Sequence, residues 1–246
     1  MKYKRKIALV EDNQLFQEMM VKLVESVTED FTVSLTASNG MDLLGKLEML
    51  DSVHIPDIIF TDFDMAIMNG YETANYIQKY YPRVKVVAFS LRGDEQSIIK
   101  MIANGASGYL QKTFEPRELP IVLQAVVHDH YYVSRNNLNF KEGTEANFLV
   151  TLPPVSDIKS IWNAFTDKEK ELVNLLCSPI TDAEVARSAK LPNHKLRELK
   201  KNILDNLKVA DRIALTVLVQ KYSLFSSPVY DFSLKSGHEG VNSAFV

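Results

Sequence analysis

Short apolar runs alternate with amphipathic stretches over the first 130 residues of the chain. The runs are typical of buried strands, and they cover 6–10, 31–37, 58–62, 84–90 and 108–111. Between them, apolar residues recur at helical spacing, as Leu15, Met19, Leu23 and Val27 do after the first run. Strict strand–helix alternation predicts an α/β domain with a doubly wound parallel sheet of five strands, over residues 1–130.

The pattern changes in the second half of the chain. Periodicity fades over 131–159, where Pro153-Pro154 and polar residues predict a linker with room for one short helix. An all-α domain is predicted over 160–225, because two capping boxes, Thr166 with Glu169 and Thr181 with Glu184, each precede an apolar-periodic run. Helices over 193–206 and 211–222 complete it, and 226–246 form a tail without an assigned role.

Composition narrows the class of protein. The chain is 46% apolar and 24% charged, which is ordinary for a soluble globular protein. A single cysteine, Cys177, excludes an internal disulfide and indicates a reducing compartment. The first apolar run ends at Glu11-Asp12, so it is too short for a secretory signal or a membrane span. These features predict a cytoplasmic protein that does not enter membranes.

Charge is distributed unevenly. Residues 1–130 contain 13 Lys and Arg against 18 Asp and Glu, whereas residues 158–225 contain 12 against 8. An acidic first part and a mildly basic second part suggest two separate tasks, and the basic part is compatible with nucleic acid.

Three acidic residues lie at the ends of two predicted strands: Glu11, Asp12 and Asp62. Because the carboxyl ends of strands in a doubly wound sheet can be neighbours, these carboxylates can share one pocket. Such crowding favours a cation, and all-oxygen ligands suit Mg²⁺. A carboxylate can also accept a phosphoryl group. Ser90 and Lys112, at the ends of later strands, offer a hydroxyl and an ammonium to phosphoryl oxygens.

These positions resemble the receiver domain of two-component response regulators. The matching residues are Glu11-Asp12, Asp62, Ser90, Tyr109 and Lys112, with a 22-residue interval from Ser90 to Lys112. The resemblance implies phosphotransfer from a sensor histidine kinase to Asp62. It also implies Mg²⁺ on Glu11, Asp12, Asp62 and the backbone of Phe63 or Asp64, and a switch made by Ser90 and Tyr109.

Other interpretations of these residues stay open at this point. A strand-end aspartate also serves as a helix cap or turn residue, and a lone tyrosine such as Tyr109 is usually a core residue. The Asp62-x-Asp64 pair also resembles a motif of phosphatases with an aspartyl nucleophile. Those enzymes have Thr two residues after the second Asp, where this chain has Ala66.

The helix over 193–206 has two chemically different faces. Leu196, Leu199, Ile203 and Leu207 form one face, and the other is polar, with His194, Arg197, Glu198, Lys201 and Asp205. With the preceding helices this region resembles the LuxR/NarL-type helix-turn-helix domain. The resemblance implies binding to duplex DNA, in which Arg197 reads guanine, Glu198 accepts from cytosine, and Lys200 or Lys201 contacts phosphate. The alternative is an ordinary solvated helix face.

The last predicted helix, around 213–219, is apolar almost all round and must be buried on both sides. The resemblance implies that it dimerises, and the alternative is packing against the receiver or the tail. The whole chain is therefore predicted to be a phosphorylation-dependent DNA-binding response regulator. It should form a homodimer when phosphorylated and turn over no external substrate. The alternative is a phospho-switched protein-interaction module.

Overall fold

The computed structural model describes residues 4–134 and 149–225. Strands and helices alternate through the first part, and helices make up the second. The elements are β1 (Arg5–Val10), α1 (Gln14–Val27), β2 (Phe31–Ala37), α2 (Gly40–Glu48), β3 (Ile58–Asp62), α3 (Gly70–Tyr80), β4 (Lys85–Ser90), α4 (Glu95–Ala103), β5 (Gly108–Gln111), α5 (Glu118–Val127), β6 (Tyr131–Val133), β7 (Leu149–Val150), α6 (Val155–Ala164), α7 (Asp167–Leu176), α8 (Asp182–Ser188), α9 (Asn193–Asn206) and α10 (Arg212–Lys221).

The sheet is built around β3, whose five residues are all buried. Its strand order is β2-β1-β3-β4-β5-β6-β7, and all neighbours are parallel except β6 and β7. Helices α1 and α5 cover one face, whereas α2, α3 and α4 cover the other. The reversal of strand order between β1 and β3 is the place where open α/β sheets bind ligands. The predicted α/β class is confirmed.

Short polar caps begin the helices that follow these strands. The side chains of Asn13, Asn39, Asn69 and Asp94 each accept from a backbone N–H three residues later, at the start of α1, α2, α3 and α4 respectively. Each cap fixes where its helix begins, and therefore also fixes the loop between that helix and the preceding strand.

The predicted count of five strands is wrong, because the sheet has seven strands within the described residues. Strand β6 pairs with β5 in parallel, and β7 pairs with β6 in antiparallel orientation. Both strands, and the start of α6 at Val155, lie in the segment predicted as a linker. Strands of three and two residues are too short to display an alternating pattern. The prediction of a linker therefore rested only on the polar and proline-containing composition of the segment. Most of the remaining linker and the 226–246 tail lie outside the described residues.

The second part is a bundle of five helices around Trp162, Leu176, Val185 and Leu215. Both predicted capping boxes are present, at the starts of α7 and α8. Helix α10 belongs to this bundle and also packs against α4 of the first part. Within 4–134 and 149–225, no helix is both long and apolar enough to cross a membrane.

Candidate functional site

The carboxyl ends of β1, β3, β4 and β5 bring the predicted pocket residues to one edge of the sheet. Glu11 and Asp12 follow β1, Asp62 ends β3, Ser90 ends β4, and Lys112 follows β5. Parallel pairing of these strands in register places their ends side by side.

The three acids lie close together, as predicted. One carboxylate oxygen from each of Glu11, Asp12 and Asp62 lies within 4.8 Å of the others. Glu11 and Asp62 are buried, whereas Asp12 is exposed at the mouth. This donor set fits Mg²⁺, because an exposed carboxylate beside two buried ones leaves room for the waters that the ion retains.

Lys112 bridges the two buried carboxylates. Its ammonium donates to Glu11 Oε2 at 2.7 Å and to Asp62 Oδ2 at 2.9 Å. The ammonium also lies over two aromatic rings, with Nζ 4.7 Å from the Phe16 centroid and 5.2 Å from that of Phe89. The cation is therefore held in a fixed position next to the proposed acceptor oxygen.

Burial and charge act in opposite directions on these groups. Burial raises the pKa of Glu11, and the hydrogen bond from Lys112 only partly offsets that rise. Burial acts to lower the pKa of Lys112, but its bonds to Asp62 and Glu11 prevail, so the pKa is raised overall. The pocket therefore holds a firmly charged ammonium beside a Glu11 carboxylate that is costly to ionise.

The Asp62 side chain is held by its own loop. The Phe63 N–H donates to Asp62 Oδ1 at 2.6 Å. Gly70 begins α3 directly behind this loop, and a Cβ at Gly70 would lie 2.0 Å from the Asp62 carbonyl oxygen. The close approach explains the glycine at this position better than a need for unusual backbone angles, since α3 begins there in a capping box.

Ser90 and Tyr109 are connected through one residue of the β4–α4 loop, Arg92. The Arg92 N–H donates to Ser90 Oγ at 3.1 Å, and the Tyr109 hydroxyl donates to the Arg92 carbonyl oxygen at 2.8 Å. The Tyr109 ring is fully buried, and the switch role of this residue stays a prediction. Burial raises the pKa of Tyr109, so its hydroxyl stays a hydrogen-bond donor.

Asp64 was predicted to offer its backbone to a metal ion. Its side chain forms an ion pair with Arg92. Arg92 Nε lies 2.8 Å from Asp64 Oδ2, and the guanidinium stacks over the Phe63 ring. The sequence did not point to this pair. Its only signal was the position of Arg92, two residues beyond the Ser90 hydroxyl.

A cleft of about 840 Å³ opens in front of the pocket. Asp12, Asp64 and Arg92 line it from the sheet side, and Pro179 and Ile180, in the turn between α7 and α8, line the opposite wall. The helical part therefore partly covers the entrance to the carboxylate pocket.

The predicted DNA-binding residues all lie on α9, but they differ in exposure and in their ion-pair partners. His194, Arg197, Glu198 and Lys201 are exposed, but Lys200 is half-buried and ion-paired with Asp182. Glu198 accepts from Lys195 at 2.7 Å. Leu196 and Ile203 are buried on the opposite face, as predicted. The exposed face is thus mixed in charge.

The comparisons with known proteins agree with this arrangement. Residues 7–124 match the response regulator receiver domain model. The chain therefore contains a response regulator receiver domain. Its relatives include the nitrate/nitrite response regulator protein NarL of Escherichia coli K12, with 26% identity over 89% of this chain and 96% of NarL. The transcriptional regulatory protein DegU of Brevibacillus brevis is also 26% identical, over 87% of this chain and 92% of DegU.

Solved structures similar to this chain include a LuxR-family two-component response regulator from Aurantimonas. It is 21% identical, the match covers 55% of this chain and 92% of that chain, and the TM-score is 0.49. The RcsB response regulator of Salmonella typhimurium has 17% identity, with 89% of this chain and 99% of that chain covered, and a TM-score of 0.48.

Proposed function

We propose that this response regulator binds duplex DNA under the control of a phosphoryl group on Asp62. The observation that carries the proposal is the pocket itself, in which Lys112 joins Glu11 to Asp62 beside the exposed Asp12. The names of the relatives, NarL and DegU, describe a nitrate/nitrite response regulator and a transcriptional regulator, and both align over nearly the whole chain.

The chemical step is phosphoryl transfer from a histidine of a sensor kinase. An Asp62 carboxylate oxygen attacks phosphorus, the new P–O bond forms, and the P–N bond to the kinase histidine breaks. Lys112 and the Ser90 hydroxyl are the residues of this chain that can donate to the phosphoryl oxygens. Glu11, Asp12, Asp62 and the Asp64 backbone would hold Mg²⁺, which neutralises charge developing on the transferred group.

The proposed DNA surface is the exposed face of α9. Arg197 presents a bidentate donor suited to guanine, and Lys201 suits phosphate. His194 and Glu198 lie on the same face, and Lys200 reaches phosphate only by leaving Asp182. We place this protein in the cytoplasm and expect a homodimer on DNA, because paired half-sites need two recognition helices.

The mixed charge of α9 favours a second candidate. Glu198 and Asp205 both oppose attraction to phosphate, and Lys195 and Lys200 are already ion-paired. A protein-interaction module that responds to phosphorylation of the same pocket is the alternative function.

The deciding experiment measures binding to duplex fragments from the source genome at two salt concentrations. It is run with and without Mg²⁺ and beryllofluoride, which mimics the phosphoryl group. Selective retention that strengthens with the mimic and is lost in an Arg197→Ala/Lys201→Ala variant supports DNA binding. Each lost phosphate contact should reduce the salt slope by about 1.

A matched control removes two exposed lysines elsewhere in the helical part, Lys159→Ala/Lys168→Ala. This variant loses the same net charge and should retain selective binding. If no fragment is retained by the wild type even at low salt while the mimic still alters the receiver domain, the interaction-module function stands instead.

A further inference from the structure

The outer side of α5 borders an open apolar groove. Only Glu118 and Gln124 are polar among the ten residues of this helix, and its inner face packs against the sheet. Ile121 is not part of that core and is 44% exposed. Leu149 of β7, on the other wall of the groove, is exposed to the same extent. Because a helix that is apolar almost all round is normally buried on both sides, the outer side of α5 requires a cover.

The groove lies next to a free edge of the sheet. It has a volume of about 520 Å³ and runs between α5 and β7, and His128 and His130 lie at its end, in the turn after α5. Among the described residues β7 is the last strand of the sheet, so its outer edge pairs with no strand there. An open strand edge beside an apolar groove is the arrangement that accepts an extended segment by strand addition.

The end of α10 lies beside this groove. Lys221 Nζ donates to the Asp129 carbonyl oxygen at 2.9 Å, and Asp129 is the middle residue of the turn at the end of the groove. The Tyr222 hydroxyl donates at 2.7 Å to the carbonyl oxygen of Pro153, three residues after β7. The tail, residues 226–246, therefore begins a few residues beyond two contacts with the surroundings of the groove.

One segment of the tail has the sequence pattern of a half-buried strand. In 229–235, three apolar residues alternate with three polar ones: Tyr230, Phe232 and Leu234 with Asp231, Ser233 and Lys235. Pro228 precedes this segment and Ser236-Gly237 follow it, and such residues commonly bound strands. A strand with one apolar face needs an apolar surface opposite that face.

The lengths are compatible. Residues 226–228 span about 10 Å when extended, which allows the segment to leave the end of α10 and enter the groove. Seven residues in a strand cover about 23 Å, and the ten residues of α5 cover only about 15 Å. The segment 229–235 is therefore long enough to follow the whole groove.

We propose that the tail segment 229–235 binds this groove of its own chain as an additional strand at the outer edge of β7. Its apolar side chains then cover Ile121 and Leu149, and its polar side chains face water. The chain's own tail is the fitting occupant because it starts beside the groove, which gives it a high effective concentration there. The bound tail joins the helical part to the receiver domain. This inference needs neither a phosphoryl group on Asp62 nor DNA.

The test measures hydrogen exchange of the full chain, resolved by segment. In the wild type, amides of 229–235 should exchange about tenfold more slowly than those of 238–246. Phe232→Asp places a charge on the apolar face of the segment and should abolish this protection. Ser233→Asp, the same added charge on the polar face, is the matched control and should retain it.

A second variant changes the groove and leaves the tail intact. Ile121→Ser removes part of the apolar wall and should raise exchange in 229–235 by about tenfold. Met49→Ser, at an 88% exposed site elsewhere in the receiver domain, is the control and should leave the segment protected. Circular dichroism checks folding, and Leu149→Ser, on the opposite wall, replaces Ile121→Ser if that variant does not fold.

Four results would overturn the proposal. The first is an unprotected segment 229–235 in the wild type, and the second is protection that survives Phe232→Asp or the groove variant. The third is protection that falls on dilution, which would assign the groove to the tail of a second copy. The fourth is faster exchange of 135–148 alone in Ile121→Ser, which would mean that those residues cover the groove.

The samples contain neither duplex DNA nor beryllofluoride. A protected tail in a protein that never binds DNA would count against the proposed function alone. An unprotected tail in a protein that binds DNA in response to the mimic would count against tail binding alone.

Discussion

The Lys112 ammonium lies 2.9 Å from Asp62 Oδ2, although 50 positions separate the two residues in the chain. Parallel pairing of β3, β4 and β5 brings their ends together, and Glu11 completes the arrangement from β1. One cation thus compensates two buried carboxylates.

Replacing Lys112 with Gln should both destabilise the protein and slow phosphorylation. Without the ammonium, Glu11 and Asp62 repel each other in a buried site, and a lost partner of a buried pair costs about 3 kcal/mol. Chemical denaturation measures the first effect, and labelling by a histidine kinase measures the second. Lys46→Gln, which removes a half-exposed lysine paired with Asp42, should change unfolding by less than about 1 kcal/mol and leave labelling intact.

Glu11→Gln should stabilise the protein at neutral pH while weakening Mg²⁺ binding. The pKa of Glu11 is raised in the folded state, so the folded protein binds a proton more readily than the unfolded chain. Wild-type stability therefore falls as pH rises from the ordinary range of a glutamate through the raised value. Thermal unfolding between pH 4 and 8 should show this loss in the wild type and a smaller loss in the variant. Equal pH profiles would contradict the assignment.

Gly70→Ala should damage the pocket without touching a charged group. The added Cβ would lie 2.0 Å from the Asp62 carbonyl oxygen, so the β3–α3 loop must move. We expect a loss of about 2 kcal/mol and slower labelling of Asp62, because overpacking shifts the backbone. Gly45→Ala is the control, since a Cβ there meets nothing within 4 Å and should stabilise α2 by about 0.5 kcal/mol.

Most of the first part of the fold follows from local patterns. Strands β1, β3 and β4 are mostly buried and are followed by helices with side-chain caps, so both the apolar run and its end are visible in the sequence. The pocket follows as well, because strand ends of a doubly wound sheet meet at one edge. Strands β6 and β7 are too short to carry such a pattern, and their pairing with β5 depends on the tertiary structure.

The interface between α4 and α10 could not be predicted in the same way. The sequence of a largely apolar helix such as α10 predicts that the helix is buried. It does not predict what covers the helix, because a second copy, the tail or the receiver domain would each exclude water from it. The Arg212 side chain has five donors, and three of its four acceptors come from its own bundle. Glu95 resembles any first-turn acid until α10 is placed beside it.

Ile67→Asn should stabilise the loop beside the pocket. Ile67 has φ of 71°, which is strained for a β-branched residue, and its side chain is 80% exposed, so little packing is lost. Asn tolerates this conformation, and we expect a gain of about 1 kcal/mol in unfolding free energy. Met49→Asn, at an 88% exposed site with φ of −88°, should give no such gain. An equal gain at both sites would mean that the new amide side chain, and not relief of backbone strain at position 67, stabilises the protein.

Gln111→Leu should stabilise the end of β5, next to the site. Among the described residues, neither amide atom of Gln111 has a hydrogen-bond partner, and the residue is 1% exposed. A buried polar group without a partner costs about 1–3 kcal/mol, and leucine has a similar volume. Denaturant unfolding should show a gain of that order, whereas Gln124→Leu, on the exposed side of α5, should show none. A loss of stability in Gln111→Leu would mean that the amide is satisfied by water, and that the strand end next to Lys112 is hydrated.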